Sequence, residues 1–253
     1  MRTLISFGTA HYRPGLERLR ASATPYFDRI VLYDSLPPDF VAKHEWLLRH
    51  RRGYGFWVWK PFLILQHLRE MKSDDVVMYC DSQFVFIADP APLAALCRRE
   101  RGVLIFHQKR EGHQNKRFTR HDCFRVMGCD TPEYHDGPQL LGGASVWAAT
   151  PLAIDVVEEW YRWCSDPRAI SDQPSEGGEY PWFSDHRHDQ SILSLMAIRR
   201  RLPSYPDPSQ FGNGYQEPER GYGQILHIDR FIGSTYPIPC VLPDPDADRP
   251  FTL

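Results

Sequence analysis

The stretch 54–86, YGFWVWKPFLILQHLREMKSDDVVMYCDSQFVF, limits the folds open to this chain more than any other. Val76-Val77-Met78-Tyr79-Cys80 is a short, nearly continuous apolar run, the mark of a strand covered on both faces. Asp81 follows at once. Ligands of open α/β sheets bind beyond the carboxyl ends of the strands, so an acid at that point is a site candidate. Ahead of the strand, Pro61 suits the first position of a helix, where its missing N–H is no loss. Leu63, Ile64, Leu65, Leu68 and Met71 recur on one face at helical spacing, and Ser73-Asp74-Asp75 ends the run.

Lys60 stands just before that helix start, where a cation opposes the macrodipole at a cost of roughly 0.3–1 kcal/mol. The cost makes sense if lysine and helix N-terminus face an anion such as a phosphate. The alternative is a solvated lysine whose stem covers Trp57 or Trp59. The preceding Arg49-His50-Arg51-Arg52 run is a solvated face or part of the same anion site.

Elsewhere the pattern alternates between strand and helix, as in α/β proteins. Strands are expected at Leu4–Phe7, Ile30–Tyr33, Val103–Phe106, Ala144–Ala149 and Gln224–Ile228. Helices are expected over Gly15–Ala23, Phe40–His50, Ala91–Arg99, from Pro151 (with Ile154, Val157, Trp160, Tyr161 and Cys164 on one face) and from His186. Residues His107–Arg120 read as a flexible loop and Asp166–Pro181 as a surface excursion. The paired glycines Gly142-Gly143 before a strand either admit a close neighbour or form a plain bulge. No G-x-G-x-x-G fingerprint is present, which removes support for a dinucleotide site.

Composition excludes more than it assigns. With 30 Lys+Arg against 32 Asp+Glu, nothing points to nucleic acid as partner. No apolar run approaches the ~20 residues that cross a bilayer, and the N-terminus lacks a signal-peptide core. Residence in the cytoplasm, with peripheral association at the inner membrane face, is the expectation. None of the six cysteines is paired as C-x-x-C, so they read as reduced, mostly buried thiols.

Five blocks carry a resemblance: YGFWVWKP, YCDSQ, FTRHDCFRVMGCD, QLLGG and HRHDQSIL, in that order between Gly53 and Leu195. Together they resemble a group of small bacterial GT-A-type glycosyltransferases of capsule and lipopolysaccharide assembly. The resemblance implies one GT-A-like α/β domain over residues 1–235, with a mixed, mostly parallel sheet flanked by helices, and a Pro-rich tail at 236–253. It implies a nucleotide-sugar donor (a UDP-sugar foremost), a divalent cation (Mn2+ or Mg2+) and a glycan or other hydroxyl as acceptor. Asp81 matches the first acid of the family's D-x-D motif, but the third position here is Gln83, which offers a carbonyl and no charge. His227 is the candidate second metal ligand. The donor-binding set then comprises Phe7, Thr9, Tyr12, Asp34, Trp57, Lys60, Asp81, Ser82, Gln83, Gly142 and Gly143. Asp189-Gln190 resembles the acid–amide pair placed beside the anomeric carbon in retaining enzymes, and these two are the catalytic candidates. Two other readings stand beside this one: a phosphohydrolase using His186, His188 and Asp189 as metal ligands, and a non-catalytic nucleotide or glycan binder of the same fold.

Overall fold

The computed structural model describes residues 1–107, 112–212 and 221–228. Its strands are β1 (Arg2–Phe7), β2 (Arg29–Tyr33), β3 (Val76–Cys80), β4 (Phe84–Phe86), β5 (Val103–His107), β6 (Ala144–Ala148), β7 (Ser204–Pro206) and β8 (Leu226–Ile228). Six of them form one sheet in the order β2-β1-β3-β6-β5-β7, while β4 and β8 pair separately. β6 alone in that sheet runs against its neighbours, so the sheet is mixed and mostly parallel, as expected.

Alternation along β3 divides the protein into two layers, because successive side chains of a strand point to opposite faces. Val76, Met78 and Cys80 face the layer holding the helices Arg13–Ala23 and Ala91–Arg99. Val77 and Tyr79 face the layer of the helices Trp59–Glu70, Pro151–Cys164 and Asp189–Arg199. The last two helices are clamped together by Glu159, which pairs with Arg199 and Arg200. Burial raises that carboxyl, but the two guanidiniums outweigh it and hold Glu159 below the usual glutamate range. Trp147 and Trp160, both fully buried, stack at 6.1 Å between sheet and helix.

Several sequence expectations shift. The helix expected at Pro61 begins two residues earlier, at Trp59, which puts Lys60 inside its first turn. The supposed flexible loop at 107–120 contains a short helix, Asn115–Phe118, with Asn115 and Phe118 through Arg120 buried. The supposed surface excursion buries Ala169, Ile170 and Ser171, because the helix Pro167–Ile170 packs into the core. On the Pro151–Cys164 helix the buried stripe is Ala153, Val156, Val157, Trp160 and Cys164, with Ile154 and Tyr161 at its margin. β4 and β7, three residues each, are too short to leave a periodic signal. The expected tail at 236–253, and Cys240 within it, lie outside the described residues; the other five cysteines are buried free thiols.

Gly15 joins this framework to the tip of β3. A Cβ there would lie 2.6 Å from the Ser82 carbonyl oxygen, so the helix rests directly on the turn after Asp81. Alanine is intrinsically better in a helix by about 1 kcal/mol, whereas overpacking against backbone costs about 1–3 kcal/mol. We expect sterics to win: Gly15→Ala should lower the melting temperature by several degrees, at roughly 2–4 °C per kcal/mol for a chain of this size. A thermal melt showing a more stable Gly15→Ala protein would refute the close packing.

Candidate active site

Because β2, β1, β3 and β5 run parallel, their carboxyl ends lie along one edge of the sheet. The antiparallel β6 begins at the same edge, with Ala144 opposite Cys80. Topology alone therefore gathers Asp34, Thr9, Asp81 and Gly142-Gly143. Asp81 has the parity of Val77 and Tyr79, which turns its carboxylate toward the layer of the Trp59–Glu70 and Asp189–Arg199 helices. Tyr79, on the same face two residues earlier, donates its hydroxyl to Asp81 Oδ1 at 2.5 Å.

The helix carrying Lys60 is aimed by an unusual turn. Gly53, Tyr54, Gly55, Phe56 and Trp57 all have positive φ, at 57°, 47°, 86°, 58° and 61°. This is a left-handed helical turn, closed by Phe56 N–H to Arg52 O at 2.9 Å and Trp57 N–H to Gly53 O at 3.1 Å. Glycine adopts it freely, but an L-residue there costs roughly 1–2 kcal/mol. Packing of the three rings opposes that cost: Phe56 is buried and stacks on His188 at 4.8 Å, Trp57 lies 5.6 Å from the same imidazole, and Tyr54 stacks on Phe7 at 5.9 Å. The Trp59 indole also donates to Gly53 O at 2.9 Å.

Lys60 is neither a solvated lysine nor an exposed anion receptor. Its ammonium is buried, 2.7 Å from Asp189 Oδ2 and 3.9 Å from Asp81 Oδ1, and it donates to the Gly142 carbonyl at 2.8 Å. Burial lowers the lysine pKa, but the attraction of Asp189 and Asp81 exceeds that and leaves it raised. Asp189 is pushed up to about 6, first by burial and then by Asp81, with Lys60 only partly offsetting them. Lys60 is raised because one cation serves two acids, and Asp189 because burial outweighs its share of that cation. Asp189 Oδ2 is buried, with the Lys60 ammonium as its charged partner.

The paired glycines do admit close neighbours. A Cβ on Gly142 would meet the Gln190 side chain at 2.8 Å, and one on Gly143 would meet Asp81 Oδ2 at 3.0 Å. Gln190 Oε1 accepts from the Gly142 amide at 3.1 Å. Asp189 opens its helix, with its carbonyl held by the Trp160 indole at 2.8 Å. Sequence reasoning missed Tyr79, Trp160 and the half-exposed Tyr54 as parts of this site. Tyr79 carried a signal, since residues two apart on a strand share a face.

The other candidates divide. Thr9 is half-buried, its carbonyl capped by the Tyr12 amide at 2.8 Å, and Tyr12 and Asp34 are exposed at the sheet edge. Ser82 and Gln83 form the half-buried turn after Asp81. Phe7 is a correction: it is buried against Trp59 at 4.5 Å and supports the site from beneath. Of the basic run, Arg52 pairs with Asp185 at 2.7 Å and Arg49 with Glu45 at 2.5 Å. His186 is not free to bind metal. Its Nδ1 accepts from the Arg120 amide, so its Nε2 donates to Ala169 O at 2.9 Å. His188 donates from Nδ1 to Ile170 O at 2.7 Å, and burial lowers its pKa to about 4. Both imidazoles are neutral braces for the 167–170 helix.

A divalent cation, implied by the resemblance, is poorly served by these groups. Hard cations favour about six oxygen ligands. Asp81 has one oxygen on Tyr79 and an ammonium 3.9 Å away, and Gln83 adds no charge. His227 sits mid-strand in β8, exposed and opposite Val85. Among the described residues no group of three or more His, Cys, Asp or Glu is placed to hold a metal. The described donor set does not fit the ion.

No protein-family model and no curated protein matches the chain. Solved structures of similar layout include mouse xyloside xylosyltransferase 1 in its apo form, at 11% identity and a TM-score of 0.49, covering 91% of this chain and 98% of that one. A glycosyltransferase involved in glycosylation of the major capsid of PBCV-1 aligns at 12% identity and a TM-score of 0.47, over 90% and 93% of the two chains. Galactosyltransferase LgtC, solved with donor and acceptor sugar analogs, aligns at 10% identity and a TM-score of 0.46, over 94% and 90%. Likeness at this level assigns no role to any residue.

Proposed function

We propose that this chain is a glycosyltransferase that moves a sugar from a nucleoside diphosphate to an acceptor hydroxyl with retention of configuration, in the assembly of a polysaccharide or other glycan. The observation that carries the reading is the buried Lys60–Asp189 pair beside Asp81 and the Gly142-Gly143 backbone, at the edge where the parallel strands end. One ammonium against two carboxylates leaves a net negative cluster above pH 6. Such a cluster suits the positive charge that grows on a sugar as its bond to the diphosphate breaks. In the reaction the bond from anomeric carbon to phosphate oxygen breaks and a bond to the acceptor oxygen forms. The acceptor proton passes to the departing phosphate.

In that scheme Asp189 faces the sugar, and its carboxylate receives a sugar hydroxyl or stabilises the cationic ring. Lys60 is a positioning residue that keeps Asp189 ionised. Gln190 and Gly142 fix the floor on which the sugar lies. Asp34, Thr9, Tyr12 and the half-exposed Tyr54 ring line the sheet edge where the nucleoside would sit, with UDP the first base to try. No helix among the described residues is long and apolar enough to cross a membrane.

The reading is tested by incubating the protein with a panel of nucleotide-sugars and following release of nucleoside diphosphate, the anomeric coupling of the first product being read by proton NMR. Asp189→Asn should lower transfer by about 10²–10³, the usual cost of one preorganised electrostatic group, while free nucleoside diphosphate still binds. Wild-type activity in Asp189→Asn would remove the reading's main support, and an inverted product would recast Asp189 as a general base.

The pH profile has a definite sign. Asp189 titrates at about 6 because burial outweighs its ammonium partner, and only the ionised form stabilises the sugar cation. Transfer should therefore fall as pH drops through 6, and that limb should vanish in the residual activity of Asp189→Asn. A flat wild-type profile from pH 5 to 8 would contradict the assignment.

Stability separates the pair's two roles. Lys60→Met leaves two acids without their cation, and breaking a buried pair on one side costs about 3–5 kcal/mol. The melting temperature should drop accordingly, and adding Asp189→Asn should recover part of the loss. Equal melting of single and double variants would show that the two side chains are not coupled.

A further inference from the structure

A groove of about 430 Å³ opens between residues 112–117 and 182–184, lined by Gln114, Lys116, Arg117, Trp182, Phe183 and Ser184. Trp182 is 44% exposed. Its orientation is fixed, because Tyr180 stacks beneath it at 4.7 Å with the rings 20° from parallel. Tyr180 is in turn tied to Asp130 through its hydroxyl at 2.8 Å. A rigid, exposed aromatic face with hydrogen-bonding groups around it suits the apolar face of a sugar ring.

Charge narrows the occupant. Among the described residues the lining carries Lys116 and Arg117 and no acid. Lys116 is paired with Asp136 at 2.7 Å, whereas the Arg117 side chain is exposed. An arginine fork matches carboxylate, sulfate and phosphate oxygens.

Backbone hydrogen bonds tie both walls of the groove to the segments that lead in sequence to the catalytic candidates. On one side the backbone of 113–115 pairs with 137–139, through Gln139 N–H to His113 O and Asn115 N–H to Gly137 O, both at 2.9 Å, and this segment leads in sequence to Gly142. On the other, Ser184 N–H donates to Arg117 O at 2.9 Å and Arg187 N–H to Phe118 O at 3.0 Å, and this segment runs on to Asp189.

We propose that this groove is the acceptor site, and that its ligand is an oligosaccharide bearing an acidic group, with one sugar on Trp182 and the anion on Arg117. This rests on the glycosyltransferase reading, and the test keeps the two apart. The protein is labelled with 5-fluorotryptophan, the Trp182 resonance is assigned from Trp182→Phe, and three probes are titrated: trigalacturonate, a chondroitin sulfate tetrasaccharide and neutral maltotetraose. An acidic probe should move the Trp182 resonance while UDP leaves it in place. Trp182→Ala should weaken binding of that probe by about tenfold or more, and Arg117→Gln should weaken it several-fold and flatten its salt dependence. Uronate and sulfate probes separate the two sources of negative charge. If neither acidic probe perturbs Trp182, or if maltotetraose binds as well as both, the acidic-acceptor site is overturned, whatever the nucleotide-sugar assays show. If an acidic probe binds on Trp182 but no nucleotide-sugar is bound or turned over, the groove stands as a glycan site and the transferase reading falls.

Discussion

Everything at the sheet edge is arranged around one buried ammonium. Lys60 holds Asp189, stands beside Asp81 and donates to the Gly142 carbonyl, so a single group ties together a helix start, a strand tip and a glycine turn. Taking these charges out of water carries a penalty of several kcal/mol per ion, which mutual attraction repays only in good geometry. A hydrophobic trio of similar volume would serve stability at least as well. The pair's persistence in a chain with abundant apolar residues is a reason to look for its value in chemistry.

The geometry that makes the contact good comes from two sources. The parity of β3 turns Asp81 toward the layer of the Lys60 and Asp189 helices. The left-handed turn at 53–57 then sets the direction of the Lys60 helix. Three non-glycine residues in that conformation cost roughly 1–2 kcal/mol each. Fully burying an aromatic side chain returns roughly 1.5–3 kcal/mol, so the buried Phe56 against His188 offsets part of that cost and the half-buried Trp57 contributes further. His188 can play that part only while neutral, which its burial and its bond to Ile170 O ensure. A protonated imidazole would be a fourth charge in the site's wall.

How much of this was legible in the sequence follows from the range of the interactions. The apolar run of β3, the acid at its tip, the amphipathic stripe of the Pro151 helix and the paired glycines are local patterns, and the elements are where those patterns put them. The position of Lys60 misled because the macrodipole argument treats a helix end as if it stood in water. Only the fold reveals that Asp189, more than a hundred residues on, meets that lysine. Phe7 and His186 were misjudged for a related reason: an aromatic or an imidazole near a site reads the same whether it faces the ligand or braces the wall. Nothing local in GYGFWVW says that Phe56 and Trp57 adopt positive φ, since that depends on the rings they pack against.

The same reasoning bears on why Asp189 is placed where a helix begins rather than on a loop. At the first turn it lies near the positive end of the helix, which favours its ionised form, and its backbone is pinned by the Trp160 indole. Glu159 then locks the far end of that helix to the Pro151–Cys164 helix through Arg199 and Arg200. Displacement of the Asp189 backbone would disturb both helices. The burial that pushes its pKa up to about 6 is the other side of that rigidity. A carboxylate stripped of water is a stronger partner for a transient positive charge than a solvated one. Lys60 supplies enough attraction to keep it ionised near neutral pH, and holds it beside Asp81 and the Gly142 carbonyl.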